Sequence, residues 1–301
     1  MIKNTDWIYG GQLLRGKKAQ MPVISVDLDY PCIMHSSRDD FGKSYGVCSH
    51  LKSLFPPIIS HSETILQHGP IGSYDVAGVM PMQLIKNYLF YIGWTLRKDI
   101  PYFNYLSVCE TDGKKFKKKG PILGPDIHES GYTGTFHVQN INNYYLGYYL
   151  SVTNWSEDEK GNLNPEYDIK IARSDDLLTW ERLNHTAVSR VKDEAAISAF
   201  TVLKIENLYH AWFSVRKGKN FRNKASNGYR IMHATSFDGI SWTRDSDFGI
   251  NPGSFNGCED MAAYPSVYIA DSKVIMLFNG NGFGDEGIFW CYMPIKELKG
   301  V

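Results

Sequence analysis

The stretch Ala234-Thr-Ser-Phe-Asp-Gly-Ile-Ser-Trp-Thr-Arg244 sets the reading of the whole chain. A shorter copy stands at Ala172-Arg-Ser-Asp-Asp-Leu-Leu-Thr-Trp-Glu-Arg182, and a more distant one at Cys109-Glu-Thr-Asp-Gly-Lys-Lys-Phe116. In each copy a strand ends in Ser or Thr, an Asp-Gly or Asp-Asp pair turns the chain, and an aromatic restarts it. Asp and Gly tolerate the left-handed backbone of a tight turn, so the pattern encodes a hairpin. Asp112, Asp176 and Asp238 recur about every 63 residues, which marks a repeat architecture.

Working outward from these turns, strands fall into units of four. The first unit shows three strands, Met21 to Leu28, Pro31 to Ser37 and Ser44 to Leu51, with Arg38-Asp-Asp-Phe-Gly42 as a turn. The second runs through Val79–Ile85, Tyr88–Trp94, Tyr105–Glu110 and Phe116–Ile122; the third through Thr135–Asn140, Tyr144–Thr153, Tyr167–Ser174 and Thr179–Leu183. The fourth comprises Phe200–Ile205, Tyr209–Val215, Tyr229–Ser236 and Ser241–Asp245, and the fifth Pro265–Ala270, Lys273–Asn279 and Gly287–Met293. The fifth unit lacks an outer strand, and Thr5-Asp-Trp-Ile8 resembles the outer strands around Trp180 and Trp242. The expectation is an all-β, five-bladed β-propeller of four-stranded antiparallel blades, with the N-terminal strand closing the last blade. Its blades span about 19–65, 75–125, 129–190, 194–255, and 260–297 plus 5–14, in a single domain over 1–301.

Composition narrows the function classes. Charged residues are 21% and hydrophobic ones 43% of 301 residues, a globular balance. Lys plus Arg equals Asp plus Glu, so no nucleic-acid or membrane-surface partner is indicated. The basic run Lys114–Lys119 reads as a solvated edge strand, which lysine protects from pairing. Five widely spaced cysteines without a Cys-x-x-Cys pair suit reduced thiols and a cytoplasmic location. No apolar stretch is long enough to span a bilayer. The histidines, among them His35, His50, His61 and His68, show no metal-ligand spacing, and no cofactor fingerprint is present.

An acid stands ahead of the innermost strand in four units: Asp75, Glu129, Glu194 and Asp260. Innermost strands begin at the axis, so these carboxylates are expected to meet in one funnel. Crowded carboxylates raise one another's pKa, leaving one protonated as general acid and another ionised, as glycosyl transfer to water requires. Each acid taken singly is equally read as a solvated loop residue. The first unit has Leu14-Arg15-Gly16-Lys17 where the acid would stand.

The chain resembles the five-bladed propeller superfamily of arabinanases, xylosidases, invertases, levansucrases and mannoside phosphorylases, and more nearly a glycosidase-like branch met beside bacterial polysaccharide genes. The resemblance is carried by Ser37-Arg-Asp39, Gly72-Ser-Tyr-Asp-Val-Ala-Gly-Val79, Tyr91-Ile-Gly-Trp94, Ser236-Phe-Asp-Gly-Ile-Ser-Trp242, Tyr264-Pro-Ser-Val267 and Phe278-Asn-Gly-Asn-Gly-Phe-Gly284. It implies catalytic positions at Asp75, Glu194 and Asp260, with Glu129 as a fourth candidate and Glu194 favoured as general acid. It further implies substrate contacts from Arg38, Asp39, Tyr74, Trp94, Arg216, Tyr264 and Asn279. Phosphorylases of this superfamily gather basic residues for phosphate, a role open here to Lys17, His50, Arg38 and Arg216. The implied partner is a carbohydrate, glycan or nucleotide-sugar. The implied activity is glycoside hydrolysis, with phosphorolysis or sugar binding without turnover as alternatives, the last because the first unit carries no acid. Oligomeric state stays open.

Overall fold

The computed structural model describes residues 6–16, 18–25, 30–218, 221, 225–245 and 249–298. Lys17 and Thr5 lie outside the described residues. Nearly all regular structure is β: strand β1 (Ile8–Arg15) comes first, then β2 (Gln20–Ser25), β3 (Cys32–Arg38), β4 (Ser44–Leu54) and β5 (Pro57–Leu66). Next come β6 (Gly78–Ile85), β7 (Tyr88–Thr95), β8 (Phe103–Thr111) and β9 (Phe116–Leu123), then β10 (Thr133–Ile141), β11 (Tyr144–Glu157), β12 (Leu163–Ser174) and β13 (Glu181–Val188). The chain continues through β14 (Glu194–Ile205), β15 (Leu208–Lys217), β16 (Arg230–Ser236) and β17 (Thr243–Arg244), and closes with β18 (Ala263–Ala270), β19 (Lys273–Asn279) and β20 (Gly287–Pro294).

Antiparallel pairing runs β2-β3-β4-β5, β6-β7-β8-β9, β10-β11-β12-β13, β14-β15-β16-β17 and β18-β19-β20-β1. Single parallel bridges, Ser44 with Gly78 and Tyr167 with Ala196, join neighbouring runs. β1 therefore takes the outer place beside β20, as the Trp7 resemblance predicts, although the strand begins at Ile8. Trp7 sits beneath it, buried edge-on against Trp212 with ring centroids 6.2 Å apart. Two outer strands depart from expectation. β5 follows the turn at Phe55-Pro56, and its exposed Ser60-His-Ser-Glu-Thr64 core carries no apolar alternation to announce it. β17 is two residues long.

The outer hairpins explain the recurring turn. Asp238 Oδ1 accepts the N–H groups of Ile240 and Ser241; Asp176 Oδ1 accepts those of Leu178 and Thr179; Asp112 Oδ1 accepts those of Lys114 and Lys115. The next residue is left-handed each time, with φ of 88° at Gly113, 71° at Leu177 and 75° at Gly239. An acid at the first position and a left-handed second residue are thus one device used three times. Partial burial works against the Asp238 charge, but the two donated N–H bonds prevail and hold its pKa at about 2.

Core residues lie between sheets that neighbour one another in sequence. Cys32 and Met34 meet Val79 and Tyr91; Phe90 and Ile92 meet Phe136 and Tyr149; Tyr148 and Ile169 meet Phe200 and Phe213. Trp212 and Ile231 meet Met276 and Phe278, and Ile33 and Leu51 meet Ile275 and Leu277, which returns the last sheet to the first. Each fully buried aliphatic or aromatic side chain contributes about 1.5–3 kcal/mol, so these seams supply most of the stabilisation. Polar stitches follow the same cycle: Gln83 brackets Val138, His137 Nε2 accepts the Val202 N–H, and Ser266 Oγ accepts the Ile24 N–H.

Candidate active site

The leading strand of each run carries a β-bulge near its start: Gln20/Val23 on β2, Pro81/Gln83 on β6, Thr133/Phe136 on β10, Ser198/Thr201 on β14 and Ala263/Ser266 on β18. A bulge re-aims side chains, and three of these hold a non-glycine residue in the left-handed region: Met21 at φ 58°, Ala199 at 50° and Tyr264 at 57°. The surrounding chain fixes this strained backbone by accepting each N–H on a side chain. Asn279 Oδ1 accepts from Met21 at 2.8 Å, Thr135 Oγ1 from Ala199 at 3.1 Å, and Ser214 Oγ from Tyr264 at 2.7 Å.

The bulged segments surround a cavity of about 300 Å³. Gln20, Met80, Thr135, Ser198 and Tyr264 reach it from the five leading strands. Much of the remaining wall is aromatic, with Trp94, Tyr102, Tyr132, Tyr167, Tyr229 and Phe283 among its lining residues. Burial pushes the Tyr132 and Tyr229 phenols well above their ordinary pKa, so both stay neutral hydrogen-bonding groups. The Tyr167 and Tyr229 hydroxyls bond each other.

Two guanidinium groups enter this wall. Arg38, at the end of β3, lies 5.2 Å from the Trp94 ring centroid and donates to Gly42 O at 2.7 Å. Burial draws its pKa down, with the charge of exposed Asp285 and the Tyr264 phenol working the other way. Arg216, near the end of β15, is 1% exposed and packs between Phe221 at 4.1 Å and Tyr167 at 5.5 Å. Its terminal nitrogens donate to the carbonyls of Pro165, Lys217 and Gly218. Burial opposes its charge, yet the Tyr167 and Tyr229 phenols beside it hold its pKa above the ordinary value. Arg216 Nε and Ser198 Oγ are buried with no hydrogen-bond partner in the protein.

The four carboxylates expected to meet here are not among the residues lining the cavity. Asp75 is 2% exposed and bonds Ser73 Oγ at 2.8 Å and Lys118 Nζ, facing a separate groove between β5 and β9. Glu129 is buried and accepts from Tyr149, Ser151 and Lys170 at 2.9, 3.1 and 2.9 Å, with Arg182 Nε at 3.2 Å. Glu194 is gripped by both terminal nitrogens of Arg244 at 2.7 Å, and Asp260 is exposed in the loop before β18. Three of them face basic side chains of their own runs: Asp75 meets Lys118 of β9, Glu129 meets Lys170 of β12 and Arg182 of β13, and Glu194 meets Arg244 of β17.

Of the expected substrate contacts, Arg38, Trp94, Arg216 and Tyr264 line the cavity. Asp39 instead accepts the N–H groups of Phe41 and Lys43 within its own turn. Tyr74 bonds Tyr91 at 2.6 Å and borders the Asp75 groove. Asn279 spends its whole carboxamide, accepting from Met21 and donating to Ala19 O and Gly287 O, each at 2.7 Å. His50 stacks on His61 and meets Glu63 at 2.9 Å, on the β4–β5 hairpin away from the cavity. Gln20, Tyr102, Asn104, Tyr132, Thr135, Tyr167, Ser198 and Tyr229 carry no motif; their signal is position, at the bulges and strand ends. Among the described residues, no three His, Cys, Asp or Glu side chains form a metal site, and no helix is long and apolar enough to cross a membrane.

The comparisons with known proteins agree on the architecture. No protein-family model matches the chain. Two uncharacterized proteins of Mycobacterium tuberculosis are 27% and 28% identical to it over 237 and 238 residues, covering 75% of this chain and 75% of each of them. A solved glycoside hydrolase superimposes with a TM-score of 0.71 at 16% identity, over 94% of this chain and 90% of its own. An α-L-arabinofuranosidase from Lactobacillus brevis gives 0.64 at 14% identity, over 92% and 90%. A structure titled for mannoside phosphorylases and hydrolases targeting β-1,2 mannosidic linkages in Candida mannan gives 0.65 at 12% identity, over 95% and 86%. The chain shares its fold with these solved structures.

Proposed function

We propose that this chain is a carbohydrate-active five-bladed β-propeller that admits a sugar to the axial cavity. The blade reading, with blades near 19–65, 75–125, 129–190, 194–255, and 260–297 plus 5–14, is supported by the cyclic sheet packing and by the β1–β20 pairing. The observation that carries the functional reading is the lining itself. Phenol and indole faces suit the C–H face of a sugar ring, and hydroxyl, amide and guanidinium groups suit its hydroxyls. The volume lies at the lower end of small-molecule sites, which run from about 300 to 1,000 Å³.

This lining favours recognition over hydrolysis. Hydrolysis by paired carboxylates needs two such groups about 5–9.5 Å apart across the scissile bond, and among the described residues the cavity lining includes no carboxylate. Hydrolysis stays as a second reading because solved glycoside hydrolases share the fold; Asp75, Glu194, Asp260 and Glu129 are then the residues to test. Calorimetry against oligosaccharides, with product analysis after long incubation in the presence and absence of phosphate, separates the readings. Saturable binding with the ligand recovered intact is expected. Product formation that vanishes in Glu194→Gln or Asp75→Asn would establish hydrolysis instead, and turnover needing phosphate would establish phosphorolysis.

A further inference from the structure

We infer that the sugar taken by this cavity carries its own anionic group, a carboxylate or a phosphate ester, seated against Arg38 and Arg216. The inference rests on the carbohydrate reading and adds the charge of the ligand. Among the described residues lining the cavity, these two arginines are the ones charged at neutral pH. Arg97, Arg173, Arg182, Arg190 and Arg244 each stand within 4 Å of a carboxylate, whereas among the described residues Arg15, Arg38, Arg216 and Arg230 do not, and of these four Arg38 and Arg216 line the cavity.

Burying a cation without an anion costs several kcal/mol after relaxation, and a fold that keeps such a cation has a use for it. Carbonyl oxygens and aromatic faces satisfy part of each guanidinium but leave its formal charge in place. Lys118, Lys170, Arg182 and Arg244 already neutralise the neighbouring acids Asp75, Glu129 and Glu194, and Asp285, whose charge reaches Arg38, is exposed and stands beyond ion-pair distance. The unmet donor at Arg216 Nε and the unmet hydroxyl at Ser198 mark the same wall. Stacking on Phe221 and Trp94 holds the two guanidinium planes, and a planar fork of donors matches a carboxylate or phosphate better than a neutral hydroxyl.

The test uses the full chain and the indole of Trp94 as reporter, with calorimetry beside it. The probes are glucuronate, galacturonate and glucose 6-phosphate, each against glucose or galactose, and inorganic phosphate alone. At least one acidic sugar should bind about tenfold or more tightly than its neutral counterpart, and Arg38→Gln should erase that preference. Arg216→Lys should weaken it as well; because Arg216 is fully buried, its result is read beside that of half-buried Arg38. Neutral sugars binding as tightly as acidic ones would overturn the inference and leave the carbohydrate reading standing. Inorganic phosphate binding as tightly as glucose 6-phosphate would also overturn it, in favour of a free-phosphate site. Failure of every sugar at millimolar concentration would remove the carbohydrate reading itself.

Discussion

At the scale of single residues, Glu129 is a candidate acid held among cations and hydroxyls. Its side chain is 2% exposed and shares two cations, with Tyr149 and Ser151 completing its hydrogen bonds. Burial pushes its pKa up, but Lys170, Tyr149 and Arg182 prevail and the net shift is downward. Glu129→Gln keeps the shape and leaves two cations facing an amide, which should cost about 3 kcal/mol. A carboxylate with a depressed folded pKa contributes stability above its unfolded value of 4.5, and that contribution is lost as pH falls through the folded value. The gap between wild type and variant in urea denaturation should therefore be largest near neutrality and close below pH 4.5. A variant that loses sugar binding at unchanged stability would return Glu129 to the functional set.

At the scale of elements, the second strand of each run was legible throughout, and among the outer strands β5 was not, for a reason of burial. β7, β11, β15 and β19 are apolar nearly throughout because both faces are covered, and they read as such in sequence. β5 lies at an edge with one face in water, and His61, Glu63 and Thr64 hide it. The N-terminal strand was legible only through Trp7, whose neighbours match the other outer strands. Its pairing makes a firm expectation: deleting residues 1–14 strips β20 of its partner, exposes a sheet edge and removes Trp7 from Trp212. The loss should exceed the roughly 3–5 kcal/mol of deleting a buried tryptophan side chain alone. A truncated chain that melts with the full one would show that β1 is dispensable.

At the scale of the whole molecule, the repeat was readable but the aim of its side chains was not. The repeat located the leading strands, although β14 begins at Glu194 and not at Phe200; the bulges that turn Ser198 and Tyr264 into the cavity depend on left-handed Ala199 and Tyr264, residue types that give no warning of that backbone. The sequence reading gathers the acids at the axis, whereas the cavity lining includes Arg38, Trp94 and Tyr264, which stand in the quoted motifs, and Arg216, which stands in none. Asn279, a substrate contact by the resemblance, has hydrogen bonds with a consequence for the fold. It joins the last sheet to the first by accepting from Met21 and donating to Ala19, while a second donor holds Gly287 within its own sheet. Asn279→Ala leaves two carbonyls and an N–H without these bonds in a fully buried place, at a cost of about 3 kcal/mol or more. If the sheets form one closed cycle, that loss is felt by all of them, and calorimetry should show a single transition moved to lower temperature. Two separate transitions, one for the sheet of β18–β20 and one for the remainder, would show instead that the seam between last and first sheets is not what makes the fold cooperative.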